Sequence, residues 1–473
     1  MGRQTTFAMK PSGTALASAK FTVVADSKTE IQTAYDLDVE VRQDRYDLAT
    51  ALGIIRRMET SPARSAVFAE IKNKNTVYRL VDALYAKAGF RVMQPLVLLA
   101  YMLKCVLSLG RFGYDHHEAI AISNFHNEHN AITRLVALIP DTQVMMLSPN
   151  RRNIFGRGQF RTAISMVSAA LRVFPFLSRL ARSYNFMPSA RIASGLAYYI
   201  WFSRLFVRHP SLDAAIVASN YSPEALGLSA AAHATGRKVI YVNHAPVPAN
   251  GATVPPVLAD CAVFYGNAVR ATYEKKSRCT ADVALMGQPG IARPMQWCEE
   301  MRKVGIFLTA LTCVKSLDKL VCAIISSRPD VQILIRNHPV ALLKSDFSEL
   351  AAKHKNVNIT IGNSLDEEID TCDLIFCGNS GVAMNVLRGG RPVAYIDALD
   401  KLNHDYCGFV QSRLVCEVKN WSDDLYPMIK AFYTRPDWQR IMKDYDASYN
   451  SDTTQLNDIV AQTILRHLSK QNG

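Results

Sequence analysis

From about residue 115 the chain alternates short apolar runs with stretches whose apolar residues recur at helical spacing. EAIAISN (118–124) and TQVMMLSP (142–149) read as strands around a helical NEHNAITRLVALIP (127–140). A long arginine-rich helical insertion follows, over about 150–210. Then DAAIVASN (213–220) predicts a strand, and SPEALGLSAAAHATG (222–236) a helix capped by Ser222 with Pro223 at its first position. RKVIYVNH (237–244) predicts another strand, and residues 258–266 and 281–287 complete a first sheet. The pattern breaks at QPGIARPMQWCEEMRK (288–303), where two prolines and a glycine precede a fresh start. KVGIFLTA, VQILIRNHP, VNITIGN, DLIFCGN and RPVAYID then read as strands, most of them separated by helical segments. Residues 421–468 read as helices packing on or between the two halves.

Strand and helix in alternation imply an α/β fold with parallel sheets. The predicted organisation is two Rossmann-like units facing across a cleft. The first spans residues 1–290 and carries the basic insertion, the second spans 291–420, and terminal helices occupy 421–473.

Composition narrows the class. About half of the residues are apolar and a fifth charged, as in a globular protein. The ten cysteines contain no Cys-x-x-Cys pair and read as reduced thiols of a cytosolic protein. MGRQTTFAMKPSG lacks the apolar core of a signal peptide; Gly2 and Thr6 fit the permissive myristoylation pattern, but a polar leading segment is the plainer reading. The formal charge is +13, and between Asp141 and Asp213 there are ten arginines, no lysine and no acid. Aromatic residues interleave with those arginines, which suits an anionic membrane surface or nucleic-acid phosphates; a core-facing helix pair with a solvated arginine face is the alternative. The longest apolar stretch, Pro95 to Gly110, has 16 residues and includes Lys104, too short to span a bilayer.

Candidate chemistry lies at strand ends. Asn379, Ser380 and Gly381 connect a buried strand to a helix, a place where backbone amides and a hydroxyl can hold a phosphate. IRNHPV puts Arg336 and His338 at the end of another strand of that sheet, within reach of the same group, and Thr309 ends a third. In the first half, His244 closes a strand and faces the cleft as a candidate general base. The cluster DHHEAIAISNFHNEHN invites a metal reading, yet its two halves lie at opposite ends of one strand. Glu128 and His126 are kept as a candidate base or acceptor contact, against an ordinary acidic helix start. No metal and no cofactor are expected. GxGxxG and Walker A motifs do not occur.

On His338-Pro339, Asn379-Ser380-Gly381 and the stretch SLDEEIDTCDLIFCGNSGVAMNVLRGGRPVAYID, the second half resembles GT-B glycosyltransferases. The closer likeness is to bacterial capsule and surface-polysaccharide transferases, including sialyl- and Kdo-transferases and teichoic-acid polymerases. DALDKLNHDYCGFV resembles the following segment of that family, and KVIYVNHAPVPANG its histidine loop. Asn385 departs from the pattern, since a glutamate often stands there. The resemblance implies a GT-B fold and transfer of a sugar from a nucleotide-sugar donor to a growing surface glycan or lipid-linked acceptor. Since no Asp-x-Asp stands at a place suited to a metal-dependent donor site, the transfer is expected to be metal-independent. The arginine-rich segment would hold such an enzyme at the cytoplasmic face of the plasma membrane. Because that segment lacks a recognisable nucleic-acid-binding motif, no nucleic-acid partner is expected. A nucleotide-sugar epimerase on the same fold and a basic nucleic-acid-binding protein are the alternatives.

Overall fold

The computed structural model describes residues 46–87, 93–109, 116–148, 172–251, 254–309, 311–338, 346–360, 363–401 and 404–468. The first sheet contains β1 (Ala119–Ile122), β2 (Val144–Leu147), β3 (Ala214–Val217), β4 (Lys238–Val242), β5 (Cys261–Phe264) and β6 (Asp282–Leu285). Its order is β2-β1-β3-β4-β5-β6 with every neighbouring pair parallel. All residues of β1, β3 and β5 are buried, which is why these strands read as continuous apolar runs rather than alternating ones.

The second sheet holds β7 (Lys303–Phe307), β8 (Gln332–Arg336), β9 (Val357–Thr360), β10 (Leu374–Cys377), β11 (Val393–Tyr395) and β12 (Cys416–Glu417). It is also all parallel, in the order β12-β11-β10-β7-β8-β9. The order reverses between β10 and β7 here, and between β1 and β3 in the first sheet. Open α/β sheets bind ligands at the carboxyl ends of strands flanking such a reversal. The protein is thus an α/β chain of two doubly wound units.

Among the described residues, four helices precede β1: Leu48–Glu59, Pro62–Lys74, Thr76–Lys87 and Met93–Leu107. The first and last of these pack against the helix Phe186–Arg208, which also lies along Pro223–Ala234. The latter two helices approach closely at glycines. A Cβ on Gly227 would meet the Gly195 carbonyl oxygen and Tyr198 Cβ at 2.7 Å.

Fifteen of the 23 residues of Phe186–Arg208 are buried, and Phe176, Phe186, Tyr198, Tyr199, Phe202 and Phe206 belong to the first core. This corrects the reading of the segment's aromatic content as lipid-facing, because these rings fill the interior. Arg191 is drawn inward too. Its guanidinium reaches Glu59 at 3.0 Å and Glu224 at 3.8 Å, and burial works against its charge while the two carboxylates outweigh that. Arg172, Arg179, Arg182 and Arg208 are exposed. Arg151, Arg152, Arg157 and Arg161 lie outside the described residues.

The chain crosses between units twice. After β6, Arg134 donates to the Met286 and Gly287 carbonyls at 2.9 and 2.8 Å, fixing the exit. On the return, buried Asp446 pairs with Arg388 and accepts from the Gln288 amide at 2.8 Å. Helices Leu425–Tyr433 and Trp438–Tyr445 join the second core, whereas Thr453–Leu468 lays Val460 and Ile464 against the first sheet.

Candidate functional site

At the carboxyl edge of the first sheet, β4 delivers Asn243 and His244. The His244 Nδ1–H donates to the Ala218 carbonyl at the end of β3, and because a carbonyl can only accept, Nε2 is left carrying the lone pair. Burial drives the His244 pKa down to about 4, only partly offset by the Ala218 bond, so the ring is a neutral base at physiological pH. Nε2 lies 4.0 Å from Glu128 Oε1.

Glu128 stands in the first turn of the helix His126–Val136, where its Oε2 accepts from the Asn124 and Phe125 amides at 2.7 and 3.4 Å. Burial raises its pKa, against the pull of those two amides and of Arg191. The structure therefore brings Glu128 and His244 together. His126, in contrast, is exposed on the outer side of that helix, its Nε2 3.1 Å from Asn130 Nδ2.

His244 forms part of the wall of a pocket of about 280 Å³. Tyr221, Tyr241, Tyr273 and Tyr406 line it together with Pro246 and Pro248, and buried Glu59 with Arg64 adds a charged pair. Asn220 ties the floor together by donating to the Pro255 carbonyl at 2.9 Å and to the Tyr273 hydroxyl at 3.2 Å. The two are paired, with Arg64 Nε 3.1 Å from Glu59 Oε2.

At the facing edge of the second sheet, β7 and β10 deliver Thr309 and Asn379 on either side of the strand reversal. Asp400 joins them, one carboxylate oxygen accepting from the Thr309 hydroxyl and the other from the Asn379 amide. Burial raises the pKa of Asp400, and these two bonds oppose the rise. Gly378 has no side chain because Asp400 lies over its Cα. The Asn379 side chain turns away from the reversal: its Oδ1 accepts from the Tyr406 amide at 2.7 Å and the Tyr395 hydroxyl at 3.1 Å. Ser380 Oγ accepts from the Val382 amide at 3.3 Å.

Arg336 and His338 leave the same edge one strand further, from β8. Arg336 pairs with buried Glu368 and donates to the Asn363 carbonyl at 3.1 Å. His338 is partly buried, and that burial lowers its pKa and favours the neutral ring. Pro339 lies outside the described residues.

The two edges touch. Tyr406 of the second unit accepts a bond from the Asn250 amide at 3.0 Å, and Asn250 Nδ2 donates to the Asp405 carbonyl at 2.8 Å. The histidine loop is thereby fastened to the loop that Asn379 holds. Among the described residues no three His, Cys, Asp or Glu side chains are grouped to hold a metal ion.

Sequence reasoning did not single out Asp400, Arg64, Glu59, Tyr241, Tyr273 or Tyr406. Tyr221 is the exception: it follows the Ser-Asn pair at the carboxyl end of β3, a pattern that marks a ligand-binding edge. Tyr406 and Asp400 sit in the family-like stretch 397–410, but nothing local in it marks either as a partner of residues on other strands.

No family model matches the chain, and no curated protein matches it. Solved structures match it at low similarity. The UDP-GlcNAc 2-epimerase from Neisseria meningitidis bound to UDP-GlcNAc has 10% identity and a TM-score of 0.46, covering 74% of this chain and 99% of that one. The S. aureus MnaA–UDP structure has 11% identity and a TM-score of 0.45, with 74% and 95% covered. The glycosyltransferase SnogD from Streptomyces nogalater has 13% identity and a TM-score of 0.40, with 74% and 99% covered.

Proposed function

We propose that this protein is a glycosyltransferase of GT-B type that moves a sugar from a nucleotide-sugar donor on the second unit to a hydroxyl of a growing surface glycan or lipid-linked glycan in the first-unit pocket. It would work at the inner face of the plasma membrane. The observation that carries the reading is His244: a neutral base with its lone pair on Nε2, in the wall of a tyrosine-lined pocket that opens beside the opposing strand edge. Ring surfaces suit the apolar faces of sugar rings, and the asparagines and the Arg64–Glu59 pair suit their hydroxyls.

In this reaction the acceptor hydroxyl gives its proton to His244 Nε2 while its oxygen attacks the anomeric carbon of the donor. The bond between that carbon and the phosphate oxygen breaks, and the nucleotide leaves with the electron pair. His338, Arg336, the Ser380 hydroxyl and the 379–381 turn would balance the leaving charge, a task for preorganised donors without a resident metal. Asp400 would fix the turn by holding Thr309 and Asn379 in one register.

The test is release of the nucleotide (CMP from a CMP-sugar, a nucleoside diphosphate from the others) from a panel of nucleotide sugars, with and without glycan acceptors. Acceptor-dependent release, lost in His244→Ala, is the expected result; no release with any pair would refute the reading. One observation favours a second reading, epimerisation of the donor sugar itself. Glu128, pushed toward its protonated form, stands 4.0 Å from the basic Nε2 of His244, an acid and a base facing each other. Uptake of solvent deuterium into a nucleotide sugar without any acceptor would select that reading.

A further inference from the structure

We propose that the outward faces of the helices Thr76–Lys87 and Met93–Leu107 form a docking surface for an anionic lipid bilayer. In the first helix Tyr85 is buried and Tyr78 and Val81 pack against the core, which turns Val77, Leu80 and Leu84 outward. These three follow helical spacing along one face and are 72%, 58% and 58% exposed. In the second helix Leu98, Met102 and Cys105 are buried, and Met93 and Leu96 remain 50% and 43% exposed. Gln94 donates to the Tyr85 carbonyl at 2.9 Å, so the end of one apolar stripe adjoins the start of the other. Five of the twelve exposed large apolar side chains among the described residues thus fall between positions 77 and 96.

Charge selects the occupant. Between Thr60 and Leu107 there are seven lysines and arginines and two acids. Both acids are already neutralised, Glu70 by Lys74 at 3.1 Å and Asp82 by Lys72 at 2.6 Å. Arg79, Lys87 and Lys104 are exposed around the stripes. Apolar side chains fringed by basic ones are what an interfacial helix presents to acidic headgroups. Among the described residues no helix is long and apolar enough to cross a membrane, so contact would be at the interface.

Lys72 and Asp82 also join this surface to the helix Pro62–Lys74, whose Arg64 and Val67 reach the pocket. A hydroxyl on a membrane-borne carrier would then enter one helix away from the bilayer. That consequence rests on the sugar-transfer reading; the docking does not, and its test is separate.

The test is flotation of the full-length protein with vesicles of phosphatidylcholine alone and of phosphatidylcholine mixed with phosphatidylglycerol. Wild type is expected to float with the mixed vesicles and not with the neutral ones. Leu80→Glu/Leu84→Glu should weaken that partition at least about tenfold while thermal unfolding stays unchanged, since both side chains are exposed. Lys87→Glu/Lys104→Glu should weaken it as well. Failure of wild type to float, or equal flotation of the leucine variant, would overturn the proposal. So would loss of flotation in Arg179→Glu/Arg182→Glu with the leucine variant unaffected, or a wild-type dimer that the leucine variant dissociates.

Discussion

Gly381, in the turn of the second unit, lies against Pro246 in the histidine loop of the first, where an added Cβ would meet the proline ring at 3.0 Å. Two strand ends that sequence separates by more than a hundred residues are thereby brought into contact beside His244.

That contact makes Gly381 a sensitive position. Gly381→Val should force the two loops apart and lower turnover by about tenfold or more, since misplacement of reacting groups by an ångström is costly. Nucleotide binding, measured by thermal stabilisation, should weaken as well, because Gly381 belongs to the 379–381 turn proposed to hold the phosphates. An unaltered rate would mean that the contact plays no part in catalysis.

Asn379 should prove structural rather than a direct ligand. Its Oδ1 accepts from Tyr406 and Tyr395, and Tyr406 in turn holds the Asn250 amide. Asn379→Ala leaves the Tyr406 amide without its acceptor and should cost about 1–3 kcal/mol in denaturant unfolding. It should also impair acceptor use, because the loop it holds carries a wall of the pocket.

Removing Asp446 should be more damaging. Asp446→Ala leaves the buried Arg388 guanidinium without its carboxylate, at the point where the chain passes between the units. A loss of about 3–5 kcal/mol is expected from a broken buried pair. A loss within experimental error would show that the crossing is held by packing instead.

His244 gives a pH signature with a definite sign. Its folded pKa of about 4 lies below the ordinary 6.5, so between these values the unfolded chain binds more protons and stability falls as pH drops. The advantage of wild type over His244→Gln should shrink on acidification across that window, by up to roughly 3 kcal/mol. A difference independent of pH would contradict the buried, neutral ring.

Much of this was legible in the residue pattern. The strands around His244 and Asn379 are continuous apolar runs because both sheet faces are covered, and the polar residues closing them mark the carboxyl edge. The aromatic residues of 186–208 misled for a physical reason. That helix is apolar nearly all round and fits between Leu48–Glu59, Met93–Leu107 and Pro223–Ala234, and nothing local shows that neighbours cover all its sides. Asp400 was hidden similarly, since its partners Thr309 and Asn379 stand 91 and 21 positions away.

The most direct test of the account is thermal stabilisation of wild type, His338→Ala and His244→Ala by CMP, UDP, GDP and CDP. At least one nucleotide should stabilise wild type, His338→Ala should lose that response, and His244→Ala should retain it while losing turnover by about a hundredfold or more. No response to any nucleotide, or the reverse pattern in the two variants, would contradict the account.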